Sequence, residues 1–427
     1  MEFRGRFPGQ PEDERRAKVA ETRAREPGSA RRLLTYQGVE VWRHTQIIQW
    51  TLQIVSGVLV VALVAWFFTN IANAVQDRGI PYGWSFLDRA YQTPIGHTFL
   101  PYESSDSFGY ALGVAAVNTV FVSIIGVILA TALGILVGVS RLSSNWLLAK
   151  LAMVYIEFFR NVPLLVQLFF WFYIILALPP VREGYVIGGG LYINNGGFSL
   201  PFPSAAEAGP ALAWALLAAG SLAAGYAGYR LLAARETRTG QSSYPLLSGL
   251  AVAVLLGAVG WVVVSLISGD APYLITSPEP QGRFGRIEGG FTAPAGLVVL
   301  LVGLVTYTAS FIAEIVRAGI QSVRRGQVEA SRALGLSPME TLRYVTFPQA
   351  LRVIIPPLIS QFLNLTKNSS LAAAIGYPDL TNVAKTMTQL APAVSIYLLI
   401  MAAYLAMSLT YALIGNLYNR HIRFTGG

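Results

Sequence analysis

Residues 325–357 read RGQVEASRALGLSPMETLRYVTFPQALRVIIPP. This is a charged insert of about thirty residues between long apolar runs, and hydrocarbon can satisfy neither its backbone nor its side chains. It therefore reads as a docking element outside a bilayer, waiting for a soluble partner. Gln327 to Leu334 are good helix formers, and Gly335 is a natural helix stop. Ser337-Pro338-Met339-Glu340 matches a capping box with proline at the first helical position. The second helix is predicted to end near Thr346, before Phe347-Pro348. The pattern gives two short helices bent at Gly335-Leu336.

Composition sets the surroundings of that insert. Of 427 residues, 54% are hydrophobic and 12% charged, against about 25% charged in soluble domains. This is the composition of an integral membrane protein. No cysteine is present, which excludes disulfides and thiolate chemistry. His44, His97 and His421 are scattered, which argues against a histidine metal site. A net charge of +9 reads as cytoplasmic Lys/Arg bias, not as a nucleic-acid surface.

Working outward, the chain reads as an all-α, polytopic transmembrane bundle of about eight spans. Residues 1–45 are a charged cytoplasmic tail, with ten Lys/Arg and seven Asp/Glu. Residues 46–71 form an extra N-terminal span, and 72–109 an external, periplasmic loop. Ala72-Asn73-Ala74 resembles a cleavage site, but the preceding run is anchor-length. A domain over 110–419 follows, with core spans in 110–178 and 294–418. Along its first span Gly126, Ala130, Gly134 and Gly138 put small residues on one face, where another helix can approach closely. The insertion 179–293 carries two more spans, with Gly220, Ala224 and Gly228 at the same spacing. Its flanks, rich in Gly, Asn and Pro, read as turns. Residues 321–350 are the polar loop quoted above. With both termini inside, 23 of the 31 Lys/Arg fall on the cytoplasmic side and six outside. The positive-inside rule supports that orientation and makes the loop cytoplasmic.

Several polar residues lie at membrane depth. Glu157/Arg160 and Glu314/Arg317 share i,i+3 spacing, which places each pair on one helical face. They read either as a polar ring near a cytoplasmic gate or as locally paired interfacial residues. Pro356-Pro357 should disturb the seventh span. Beyond it come Asn364, Lys367, Asn368, Ser369 and Ser370. Lys367 sits roughly 24 Å past Leu351 along a helix. An ammonium at that depth must meet an acid, carbonyls, water or substrate. The run lines a translocation path or bonds neighbouring helices.

The quoted stretch resembles the EAA loop of ABC-importer permeases. Glu329-Ala330-Ser331, Gly335 and Val345-Thr346-Phe347-Pro348 stand at the motif's spacing, with Ser331, Val345 and Phe347 as conservative departures. Glu157 to Gln167 is similar to the E-x-x-R-x-x-P-L-L-x-Q signature of polar amino acid permeases. Residues 308–320 and Lys367-Asn368-Ser369-Ser370-Leu371 resemble further family segments. The long first span, the insertion and residues 375–380 are similar to one permease subunit of general L-amino-acid or glutamate/glutamine/aspartate/asparagine importers.

The resemblance implies a type I permease with a five-span core in a bacterial inner membrane. It implies ATPase coupling through Glu329, Ala330, Ser331, Gly335, Ser337, Glu340 and Pro348. The implied partners are a homologous second permease, two cytoplasmic ABC ATPases and a periplasmic amino-acid-binding protein. ATP and Mg belong to the ATPase. This chain has no G-x-x-x-x-G-K-[ST] loop of its own, and no catalytic constellation or bound cofactor is expected. The alternatives are an ion-coupled secondary amino acid transporter and a membrane scaffold or sensor that recruits a cytoplasmic partner. The sequence names no substrate and leaves the role of the 179–293 insertion open.

Overall fold

The computed structural model describes residues 35–36, 39–40 and 45–423, apart from 206, 242 and 283–285. Most of the 1–45 tail lies outside the described residues. The chain forms two compact units, residues 1–81 and 82–427. The first holds one long helix, α1 (Thr45–Asp77), none of whose residues is buried. It is apolar enough to cross a membrane. It runs past the expected end at residue 71. Thr69 and Asn70 return their side chains to the carbonyls of Ala65 and Trp66, at 2.8 and 2.7 Å, so polar residues there leave the helix unbroken.

The second unit contains α2 (Phe108–Ser140), α3 (Trp146–Asn161), α4 (Leu164–Leu176), α5 (Ala208–Thr239) and α6 (Pro245–Ser268). It continues with α7 (Ala295–Gln321), α8 (Arg325–Ala333), α9 (Pro338–Glu340), α10 (Phe347–Asn368), α11 (Leu380–Met387) and α12 (Ala393–Arg423). Helices α2 and α7 pack closely because α2 gives up its side chains at the contact. A Cβ on Gly134 would lie 2.6 Å from Ile312 Cβ, and one on Gly138 would lie 2.6 Å from the Ala313 carbonyl. The expected small-residue face is therefore the seam of the core, and all four of its members are buried.

Six described helices are long and apolar enough to cross a membrane: α1, α2, α5, α6, α7 and α12 up to Leu417. Two expected spans differ. The third is a pair, α3 and α4, bent by 105°. Pro163 supplies no N–H and holds Val162 extended, at φ −95° and ψ 127°. Gln167 Nε2 then donates to the carbonyls of Phe159 and Val162, at 3.0 and 2.9 Å, across the break. The seventh, α10, is not among the six; Arg352, Lys367 and their polar neighbours lower its hydropathy.

The insertion holds the two expected apolar helices, α5 and α6, but more than turns on either side of them. Its flanks form short strands: β1 (Tyr185–Ile187), β2 (Leu191–Asn194), β3 (Gly197–Leu200), β4 (Phe202–Ala205), β5 (Tyr273–Thr276), β6 (Glu279–Gln281), β7 (Arg286–Glu288) and β8 (Phe291–Pro294). Strands β8, β3, β2 and β1 make one antiparallel sheet, while β4 pairs with β5 and β6 with β7. Asn195-Gly196 closes the β2–β3 hairpin, as such a dipeptide should. Helices α5 and α6 meet at Gly225 and Gly249, where an added Cβ would lie 2.6 and 2.7 Å from the other glycine's carbonyl. Gly220 and Gly228, expected at the contact, face open space. The 3.6-residue turn rotates the contact onto Gly225.

Two apolar clusters make the core. One joins α2, α4, α7 and α10. The other packs Phe86 and Tyr91, from the segment ahead of α2, against α2, α11 and α12. The expected polar loop at 72–109 is therefore ordered against the bundle over this part.

Candidate coupling bracket and path residues

The quoted stretch folds as a bracket. Helix α8 ends where Gly335 turns into the left-handed region, at φ +83°. The Gly335 amide donates to the Arg332 carbonyl and the Leu336 amide to the Ser331 carbonyl, which closes the helix end. The Ser337 amide donates to Glu340 Oε2 at 2.8 Å, and the Glu340 amide donates to Ser337 Oγ at 3.3 Å. This is the expected capping box. The Ser337 amide, and after it the Ser337 side chain, hold the Glu340 carboxyl below the usual range.

The expected break at Phe347-Pro348 does not occur. A π-helical turn over Thr341–Thr346 joins α9 directly to α10. Pro348 lacks a donor and its ring would crowd the carbonyl four residues back; it sits in the first turn of α10, where the wider π turn makes room. The second arm of the bracket is thus continuous with a long helix of the bundle. Ser331 ties the two arms together: its hydroxyl donates to the Val328 carbonyl at 2.8 Å and meets Thr341 Oγ1 at 3.1 Å, both hydroxyls buried. Glu329 and Ala330 are exposed on the outer side of α8.

The two charged pairs fare differently. Arg317 grips Glu314 through Nε, at 2.9 Å from Oε2, and through Nη2 to Oε1; its Nη1 donates to Gln321 Oε1 at 2.6 Å. Glu157 and Arg160 do not pair. Glu157 accepts from Asn161 Nδ2 at 3.3 Å, while the Arg160 guanidinium lies over the Phe311 ring, 5.2 Å from its centroid. Phe311 on α7 is the nearer partner for a cation held above a ring face. It lies one turn before Glu314, so three of the four charges gather where α3 meets α7.

Helix α10 runs through Pro356 and Pro357 without a break and ends at Asn368, giving way to a 3-10 turn over Ser369–Ala374. Val353, Pro357, Ser360, Asn364 and Lys367 are exposed along one stripe. Among the described residues, the single ion pair is Arg317–Glu314, so Lys367 has no acid beside it. Asn368 and Ser370 are half-buried. Ser369 turns inward and donates to the Thr366 carbonyl at 2.7 Å. The polar run therefore splits: Asn364 and Lys367 face out of the chain, and Ser369 belongs to its interior. Among the described residues, no cluster of His, Asp or Glu has a metal-holding arrangement.

Sequence reasoning overlooked two features of the site. Ser331 reads as a conservative departure from alanine, yet its hydroxyl cross-links the bracket. Gln167 reads as a signature letter, yet it bonds the carbonyls freed at the α3–α4 bend. The loss of a donor at Pro163, four residues earlier, was the signal for it.

A bundle of membrane-length helices with a bent bracket between two of them, and an outward polar stripe on the second, has the architecture of a membrane permease. Residues 130–424 match the family of the binding-protein-dependent transport system inner membrane component. The chain is 39% identical to YhdX of Escherichia coli K12, which bears an amino-acid ABC transporter permease name, over 91% of this chain and 97% of that one. It is 38% identical to the general L-amino acid transport system permease protein AapQ of Rhizobium johnstonii, over 86% and 90%. It is 36% identical to the glutamate/glutamine/aspartate/asparagine transport system permease protein BztB of Rhodobacter capsulatus, over 87% and 93%. The chain belongs to this family, as an amino-acid ABC importer permease. It is a multi-pass inner-membrane protein and a non-catalytic subunit, and its family works with an ATPase and a substrate-binding protein.

Proposed function

We propose that this chain forms half of the translocation path of an L-amino-acid importer and receives the force of ATP hydrolysis through the 321–350 bracket. The observation that carries the reading is the continuity of the bracket's second arm with α10. A push on α8 reaches the bundle through the Ser331–Thr341 contact and an unbroken helix. Glu329 and Ala330 meet the ATPase. Gly335, Ser337, Glu340 and Pro348 keep the bracket's shape.

The partner is a homologous second permease. An ammonium facing lipid at membrane depth is costly, so the stripe bearing Asn364 and Lys367 faces that subunit across a wet path. Arg160, Glu314 and Arg317 act together at the cytoplasmic side of this path. Two ATPase subunits bind ATP and Mg, and a periplasmic protein delivers the amino acid. Both termini are cytoplasmic. The similarity to AapQ and BztB supports a broad set of polar L-amino acids as substrates.

Reconstitution tests the reading. This chain is co-expressed with its neighbouring permease, ATPase and binding protein and placed in proteoliposomes. Uptake that requires internal ATP and loaded binding protein is expected. Uptake by this chain alone on an ion gradient, or no uptake by the full assembly, overturns it.

A further inference from the structure

A second set of buried polar groups gathers where the chain beyond α10 enters α11, and the coupling reading leaves it unused. Asn118 and Thr119 on α2 are fully buried. Asn118 Nδ2 donates to the carbonyls of His97 and Pro378, at 2.9 Å each, and the Leu380 amide donates to Thr119 Oγ1 at 2.9 Å. These bonds fix the start of α11 onto α2.

Asp379, at that start, is also fully buried. Its Oδ1 accepts from the Asn382 amide at 2.8 Å and caps α11. Its Oδ2 accepts from the Tyr404 hydroxyl on α12, at 3.3 Å. The same hydroxyl lies 3.0 Å from Thr381 Oγ1, and Ser369 stands beside it. No cation pairs with Asp379 among the described residues. A buried acid held only by neutral donors is costly. Capping alone does not call for one, since asparagine caps a helix equally well. What the acid adds is a second acceptor oxygen. Ionised, it accepts from the Tyr404 hydroxyl, which sets the order Thr381 hydroxyl to Tyr404 hydroxyl to Asp379. Asparagine would present an N–H to the phenol and reverse that order.

We propose that Asp379 is a positioning residue of the transport cycle, pinning the start of α11, which follows the Lys367–Ser370 run, to α12 through Tyr404. This rests on the permease reading above. With the chain pinned beyond α10, motion entering α10 at the bracket changes the path instead of carrying the whole helix along.

The test uses the complete reconstituted importer with Asp379→Asn, Tyr404→Phe, the double variant and Asp379→Glu. Amino acid taken up per ATP hydrolysed and the thermal midpoint of the complex are measured together. Each of the first two variants is expected to lower uptake per ATP about tenfold, the upper end for one lost hydrogen bond. Hydrolysis persists and the midpoint stays close to wild type. The double variant is expected to match the single ones, as coupled residues do, and Asp379→Glu to recover part of the loss. A wild-type ratio in Asp379→Asn overturns the inference. So do additive losses in the double variant, or a fall in the midpoint with the ratio unchanged. A wild-type complex that hydrolyses ATP without uptake overturns the permease reading itself, and this inference with it.

Discussion

The bracket end of α10 and its far end are held in opposite ways. At the bracket end, α10 runs through a π turn into two short helices whose outer surface is open, and one buried hydroxyl pair links the arms. Past the far end the chain tightens into a 3-10 turn and enters α11, whose start is bonded to Asn118 and Thr119 and capped by Asp379, all without exposed surface. Few buried contacts and an exposed backbone belong to segments that open at low cost, and buried hydrogen-bonded networks to those that do not. The difference teaches how one helix can be both lever and anchor. On the proposed coupling, force enters where packing is thin and is resisted where polar groups are locked.

The largest effect is expected where the bracket depends on backbone geometry. Gly335→Val forces a β-branched residue to φ +83°, at a cost of about 1–3 kcal/mol. Nothing stands within 4 Å of the added Cβ, so strain, not a clash, is what changes. Uptake should fall more than tenfold while the subunits still assemble; wild-type uptake would show that the bend is dispensable.

Next is the seam that both ends lean on. Gly134→Leu overpacks α2 against Ile312 and should destabilise the complex by about 1–3 kcal/mol, read as a lower thermal midpoint. Gly220→Leu in α5, where the contact face is open, should leave that midpoint unchanged.

Lys367→Met separates path from packing. With ATPase activity preserved, the rate or the amino acid preference of uptake should change. If both are retained, Lys367 belongs to a helix contact.

Ser331→Ala removes one buried hydroxyl contact, worth about 1 kcal/mol. A modest loss of uptake stimulated by the loaded binding protein is expected, with basal hydrolysis unchanged.

The smallest effect concerns the capping box. Its bonds hold the Glu340 carboxyl low, so their contribution is present above the unfolded-state value and is lost as pH falls through the folded one. Protection of the 339–341 amides against hydrogen exchange, relative to the intrinsic rate at each pH, should fall only in acid, below the ordinary glutamate range, and Glu340→Gln should flatten that change.

These contrasts also mark what a sequence discloses. The glycine seam of α2 was legible because a four-residue period maps directly onto one helical face. The capping box and the Gly335 bend were legible because each is local. The π turn was not, because a proline reads as a stop unless the widened turn before it is known. Spacing put Glu157 and Arg160 on one face and left a polar ring and local pairing both open; it could not reveal Phe311 on another helix, which takes the arginine. The strands flanking α5 and α6 escaped notice because runs of three or four residues carry too little alternation. Asp379 stayed hidden because Asn118 and Thr119 reach its neighbours across 260 and 261 residues.

Cross-linking tests the coupling claim most directly. The chain contains no cysteine, so Ala330→Cys and, in the last turn of α5, Arg238→Cys each give this chain a single thiol. With a short bifunctional reagent and ATP present, a cross-link to the ATPase subunit is predicted from position 330 and not from 238. A co-purifying ATPase that links to 238 and not to 330 would contradict the assignment of the bracket as the coupling element.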